Sequence, residues 1–347
     1  MSSSCRITTP LIKDPLEKHD VALDDSRMES LTVVIPVFNG GATISEVLAQ
    51  LRATLPTLSS LYEVILVDDG SSDNSWEVIQ ELVAENAWVR GVRLARNAGQ
   101  HNALLCGIRA AKHDIIVTMD DDLQHPASEI PKLLEKIRAG VDVVYGVPEK
   151  EQHGLWRDLA SQITKLVLQS TMGVETARNV SAFRAFYIWI RDAFSSYQSS
   201  FVSIDVLLAW GTSRFGAVRV RHNPPFKGIS RYTFRKLVVH SLNMMTGFSS
   251  WPLQVASLVG FGCTLLGIGV LLLVVGRYLL HGAAVPGFAF LASIIAIFSG
   301  AQLFALGIIG EYLARMHFRA MERPPYLIRT ILENTSKSSE ACTGTQS

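Results

Sequence analysis

The chain has 347 residues, 48% of them hydrophobic, with 32 basic against 31 acidic residues and a formal net charge of +1. That balance excludes a global field that would gather nucleic acid, and the length leaves room for one large domain plus something more. The four cysteines, Cys5, Cys106, Cys263 and Cys342, have no paired spacing, which argues against a disulfide framework or zinc site and for a reducing compartment around the globular part.

Residues 1–28 are polar, mixed in charge and free of a charged-then-apolar leader pattern, so they are expected to form a flexible arm. From residue 31 short apolar runs alternate with amphipathic stretches of helix length. Strands are expected over 31–37, 62–67, 89–94, 114–119 and 141–145, and helices over 43–55, 74–85, 100–111 and 128–139. This alternation predicts an α/β domain over 29–233, doubly wound around a mostly parallel sheet.

The C-terminal part differs. Residues 252–276 and 283–310 contain no Asp, Glu, Lys or Arg. Each is longer than the roughly 20 apolar residues needed to cross a bilayer. They predict a two-helix transmembrane hairpin, spanning 251–280 and 283–312, whose loop carries only Arg277 and His281. Basic residues lie outside it, at Arg231, Arg235 and Lys236 before and Arg315, Arg319, Arg323 and Arg329 after. The positive-inside rule then places the α/β domain and the tail 313–347 in the cytoplasm, on a multi-pass protein of the inner (plasma) membrane. Residues 234–250 mix apolar and basic side chains ahead of the first span and read as an interfacial amphipathic helix. Residues 155–172 fit that description or a helix packed on the sheet, and 334–347 read as disordered.

Two acidic strand ends stand out. Asp120, Asp121 and Asp122 follow the apolar run Ile115-Ile116-Val117-Thr118-Met119. Adjacent acids repel one another, and such a cluster is stable when a divalent cation or a set of donors is held against it. The bland alternative is a solvated turn capping the helix that starts near Pro126. Asp68-Asp69-Gly70-Ser71-Ser72-Asp73 ends the second strand in the same way, where carboxylates can accept from a base or from ribose hydroxyls. Together they favour a nucleotide-plus-metal site. No Gly-x-Gly-x-x-Gly turn follows the first strand and there is no Walker-type lysine loop, which argues against dinucleotide and P-loop folds.

Five motifs occur in order: Ile35-Pro36-Val37-Phe38-Asn39, the Asp68–Asp73 run, Arg96-Asn97-Ala98-Gly99-Gln100, Asp120-Asp121-Asp122-Leu123-Gln124-His125-Pro126 and Gly310-Glu311-Tyr312. The ordered set resembles the inverting family 2 glycosyltransferases that load a sugar onto a polyprenyl phosphate, over about residues 31–328. These include dolichyl-phosphate mannose synthases, undecaprenyl-phosphate glucosyltransferases and aminoarabinose transferases. The resemblance implies a glycosyltransferase A-type fold, a nucleotide-sugar donor (a UDP-sugar is expected), a polyprenyl phosphate acceptor, and a homo-oligomer, with a tetramer as the expected form. It further implies that Pro36, Asn39, Asp68 and Asp69 form the nucleotide pocket. Asp120, Asp122 and Gln124 would hold Mg²⁺ or Mn²⁺ against the donor diphosphate, while Asp121, a small residue in relatives, is a bystander.

Three departures from the family pattern matter. Gly40 stands where many relatives carry an acid. Arg178 and Asn179 occupy a stretch where relatives place an Asp before the Gly-Ser-Phe-Arg element, here Ser181-Ala182-Phe183-Arg184. In Lys227-Gly228-Ile229-Ser230-Arg231-Tyr232, Arg231 replaces a lysine, and Pro225 stands at the usual upstream arginine, for which Lys227 or Arg221 could compensate. A phosphate monoester has a second pKa of about 6, so the acceptor is largely a dianion at neutral pH. It requires no general base but does require cations that hold it in line. Arg184, Lys227 and Arg231 are the candidates, with Asp120, Asp122, Arg184 and Arg231 forming the expected catalytic set. His101 and His125 flank motifs, and His125 reads as a supporting residue before the helix. The rivals are a polysaccharide-extending synthase, whose Gln-x-x-Arg-Trp signature is absent, and a catalytically impaired nucleotide-sugar-binding scaffold.

Overall fold

The computed structural model describes residues 29–149, 180–199, 202–224, 251–281, 287–321 and 324–334. The expected elements at 155–172 and 234–250, the arm 1–28, and Arg178, Lys227 and Arg231 lie outside the described residues.

Among the described residues an eight-stranded sheet forms the frame. Its centre is β1 (Leu31–Val37), a seven-residue apolar run buried along its whole length, as expected for a strand covered on both faces. It pairs in parallel with β2 (Tyr62–Asp68) on one side and β4 (Ile115–Thr118) on the other, and β2 pairs in parallel with β3 (Val89–Leu94). Beyond β4 come β6 (Arg184–Tyr187), β5 (Val143–Pro148) and β7 (Phe215–Val220), while β8 (Ile328–Glu333) closes the other edge.

Helices cover both faces, so the winding is double. On one, Val33, Ile35 and Val37 pack with Val47, Leu51 and Leu55 of α1 (Ile44–Leu58), Ile79 and Val83 of α2 (Ser75–Glu85), and Leu133 and Ile137 of α4 (Ile130–Arg138). On the other, Val34, Ile65 and Val67 meet Leu104 and Ile108 of α3 (Gln100–Ala110) and Leu207 of α5 (Ile204–Gly211). Alternate residues of one strand thus feed two cores.

The sequence reading missed β6, β7, β8 and α5. Because β6 and β8 run antiparallel to their neighbours, four of the seven strand pairings are parallel and the sheet is mixed. Part of the stretch expected to be a tail is structured: β8 lies antiparallel on β3, with Arg90 held between Glu63 at 3.1 Å and Glu333 at 2.7 Å.

Two long helices, α6 (Trp251–His281) and α7 (Phe288–Ala320), stand between the domain and β8. Within them Leu253–Arg277 and Ile297–Ala314 are long and apolar enough to cross a membrane. Large apolar side chains such as Leu271, Leu280 and Leu303 are exposed along both helices, a surface suited to hydrocarbon rather than water. Gly267 lets them approach closely, since a Cβ there would meet the Phe298 ring at 2.9 Å. In chain order the two helices fall between β7 and β8.

Candidate active site

The carboxyl ends of β1, β2 and β4 open into one cleft of about 300 Å³, lined by Pro36, Val37, Phe38, Asp69, Asn97, Gly99, Gln100 and Asp120 to Asp122. Strand order reverses beside β1, and such a switch point is where open α/β sheets take ligands.

The β2 end is built by a tight turn. Asp68 Oδ1 accepts from the Ser71 amide at 3.0 Å, and Gly70 sits at φ +69° with the Asn97 backbone only 2.7 Å from where a Cβ would lie. Only glycine fits both constraints. Asp69 is then aimed across the cleft, where its carboxylate accepts from the amides of Ala98 at 2.6 Å and Gly99 at 2.9 Å. Burial raises its pKa, partly offset by those amides.

At the β4 end, Asp120 Oδ1 accepts from Gln100 Nε2 at 2.6 Å. Burial, with repulsion from Asp122, pushes the Asp120 pKa up to about 6. Burial and both acidic neighbours push Asp121 up to about 7. Asp122 Oδ1 accepts from the Gln124 amide at 3.0 Å, and Leu123 between them has φ 63°. Three carboxylates therefore line one cleft. Among the described residues no three His, Cys, Asp or Glu side chains converge as a ready-made metal cage.

The glycosyl transferase family 2 model matches residues 32–197. The undecaprenyl-phosphate 4-deoxy-4-formamido-L-arabinose transferase of Shewanella sediminis is 36% identical over 315 residues, covering 89% of this chain and 94% of that protein. The protein of the same name from Aeromonas hydrophila is 33% identical, covering 92% and 98%. This chain belongs to the polyprenyl-phosphate glycosyltransferases of family 2. A looser likeness joins it to a solved structure, glucosyl-3-phosphoglycerate synthase from Mycobacterium tuberculosis, at 19% identity and a TM-score of 0.47 over 63% of this chain and 78% of that one.

Of the residues singled out in this glycosyltransferase, the fold brings Pro36, Asp69, Asp120 and Asp122 to the cleft. Asp68 is fully buried behind it, 3.3 Å from Arg93 Nε. Asn39 staples two loops: its Oδ1 accepts from the Ser72 amide at 2.9 Å while its own amide donates to Ser71 Oγ at 3.0 Å. Gln124 turns toward His222, with Oε1 and Nε2 2.7 Å apart.

Arg184 is placed differently from a headgroup-binding cation. It is 2% exposed and ion-paired to Asp205, which also accepts from the Tyr145 hydroxyl at 3.1 Å. Its charge is neutralised inside the core by Asp205 while Nε is buried without a hydrogen-bond partner among the described residues, and the guanidinium lowers the pKa of Asp120. Arg221 is likewise engaged, with Nε 2.9 Å from Glu129. His101 meets the Ile204 amide at the start of α5 over 3.4 Å. His125 is buried and stacked on the Phe183 ring.

Gln100, Asn97 and the amides of Ala98 and Gly99 are site groups to which the sequence reading gave no role. Their motif was visible, but a backbone amide carries no residue signature, and Gln100 meets Asp120 only through the β3–α3 turn.

Proposed function

We propose that this glycosyltransferase moves one sugar, with inversion, from a UDP-linked donor to undecaprenyl phosphate at the cytoplasmic face of the inner membrane. The hairpin α6–α7 is its multi-pass anchor, 29–233 its catalytic domain, and a homotetramer its assembly. The observation that carries this reading is the placement of Asp120, Asp121 and Asp122 across β1 from Asp69. That cleft stands in a chain aligned over 89% of its length with an undecaprenyl-phosphate sugar transferase.

Asp120 and Asp122 fit a divalent cation. They are hard oxygen donors on one strand end, and the raised Asp120 pKa reflects burial and a charge that a cation relieves. With Gln124, whose side chain here meets His222, swung toward the cleft, they would hold Mg²⁺ or Mn²⁺, which when bound neutralises the leaving diphosphate. Asp69 and Pro36 border the nucleotide, with Asp68 and Asn39 holding the loops that shape that wall. The acceptor phosphate dianion attacks the anomeric carbon as the bond to the nucleoside diphosphate breaks. No side chain need remove a proton from a nucleophile already ionised. Lys227 and Arg231 hold the acceptor phosphate in line, and Arg184 acts from the core by tuning Asp120.

Full-length protein in detergent, given Mn²⁺, undecaprenyl phosphate and a panel of UDP-sugars that includes UDP-4-deoxy-4-formamido-L-arabinose, tests this reading. A lipid-linked sugar detected by mass spectrometry, and lost in Asp122→Ala, is expected. Transfer to a growing glycan or to water, with no lipid product from any donor, refutes it.

A further inference from the structure

The fold gives Gly40 and Asp121 a joint meaning. They are 81 positions apart in the sequence, yet a Cβ on Gly40 would lie 2.0 Å from Asp121 Oδ2 and 3.0 Å from its Cγ. The other near atom, Val37 Cγ1, is at 3.3 Å. Gly40 is not among the glycines with positive φ, so its backbone would accept any residue. The space above it is what excludes a side chain, and the carboxylate of Asp121 fills that space.

The carboxylate is also pinned. The Phe38 amide hydrogen-bonds to it, while Oδ2 is buried without a hydrogen-bond partner among the described residues. Asp121 lines the cleft together with Phe38. It therefore leans from the end of β4 onto the loop that follows β1.

That lean sets its place along a bound donor. In the sheet, β1 lies between β2 and β4, with neighbouring strands about 4.8 Å apart. Asp69 follows β2, and Asp120 and Asp122 follow β4. A nucleoside diphosphate laid with its base toward Asp69 and its diphosphate toward Asp120 and Asp122 carries its ribose over the end of β1. Beyond the Phe38 amide the Asp121 carboxylate has acceptor capacity left at Oδ2, and a vicinal diol supplies two donors.

We propose that Asp121, seated in the space left by Gly40, is the ribose-recognition residue of this transferase, accepting hydrogen bonds from the donor's ribose hydroxyls. The assignment rests on the nucleotide-sugar reading above, and it makes Asp121 a specificity-determining group rather than an incidental neighbour of the metal acids.

The test is calorimetric binding of UDP and 2′,3′-dideoxy-UDP, each with Mn²⁺, to the detergent-solubilised full-length protein. Wild type is expected to prefer UDP by about ten-fold, the discrimination of one charge-assisted hydrogen bond. Asp121→Ala should weaken UDP by that factor and leave dideoxy-UDP unchanged. Gly40→Ala, which pushes the carboxylate out of its seat, should show the same loss of preference with an unchanged melting temperature. Equal weakening of both nucleotides by Asp121→Ala, or a fall in Mn²⁺ affinity read by electron paramagnetic resonance, overturns the assignment by making Asp121 a metal-site residue. An effect on UDP-sugar without one on UDP overturns it in favour of a contact to the transferred sugar. Failure of wild type to bind any nucleoside diphosphate overturns the nucleotide-sugar reading itself, and this inference with it.

Discussion

Gln100 Nε2 donates to Asp120 Oδ1 over 2.6 Å, joining the first turn of α3 to the acidic end of β4. A hydrogen bond to an ionised group contributes about 1.5–3 kcal/mol. Gln100 is exposed at the cleft, so its removal leaves no cavity in the core. Gln100→Ala is expected to lower kcat/KM at least ten-fold while the melting temperature holds, as read by steady-state kinetics alongside thermal unfolding.

Arg184 and Asp205 form a buried pair, and breaking one side leaves an uncompensated charge in the core. Asp205→Ala is therefore expected to destabilise the domain by about 3–5 kcal/mol. The double variant Arg184→Met with Asp205→Leu should recover most of that loss in denaturant unfolding, because neither charge is then buried. It should still transfer sugar poorly, since the cation that lowers the Asp120 pKa has gone.

His125 is buried against Phe183 and beside His222, and burial followed by that neighbour pushes its pKa down to about 4 from an ordinary 6.5. The folded protein keeps it neutral, whereas the unfolded chain takes up a proton below 6.5. The contribution to stability is therefore complete above that pH and is lost as pH falls toward 4. At about 1.4 kcal/mol per pH unit, the loss amounts to roughly 3 kcal/mol. His125→Phe should flatten this part of the profile when unfolding is followed from pH 7 to pH 4.

The edge strand β8 covers β3, and Arg90 bridges Glu63 beneath it to Glu333 within it. Deleting residues 328–347 bares the β3 edge, and an open edge invites pairing between chains. The truncated protein is expected to melt several degrees lower and to aggregate on heating. Glu333→Gln alone should change stability by less than about 1 kcal/mol, since that carboxylate is exposed. Light scattering during thermal unfolding separates the two.

The first four strand–helix units were legible in the sequence because each is defined locally. Leu31–Val37 and Val89–Leu94 begin and end where the apolar pattern places them. What was hidden depends on distant partners. The β8 segment pairs with a strand more than 200 residues earlier in the chain, and its half-exposed residues carry no core pattern. The motif around Arg184 was visible, but its role was not, because Asp205 sits in a helix that the apolar run around it did not mark as a site. Gly40 reads as a departure and Asp121 as a bystander in the sequence, and only the fold puts them in contact.

In the proposed function Asp120 and Asp122 serve, through a divalent ion, as the clamp on the departing nucleoside diphosphate. The most direct measurement is lipid-linked sugar formation by protein stripped with chelator and then titrated with Mn²⁺. Wild type is expected to make no product when stripped and to recover fully on titration, while Asp122→Asn, still folded by its melting curve, stays inactive at every Mn²⁺ concentration. Product at the wild-type rate from the stripped enzyme, or from Asp122→Asn, would contradict it.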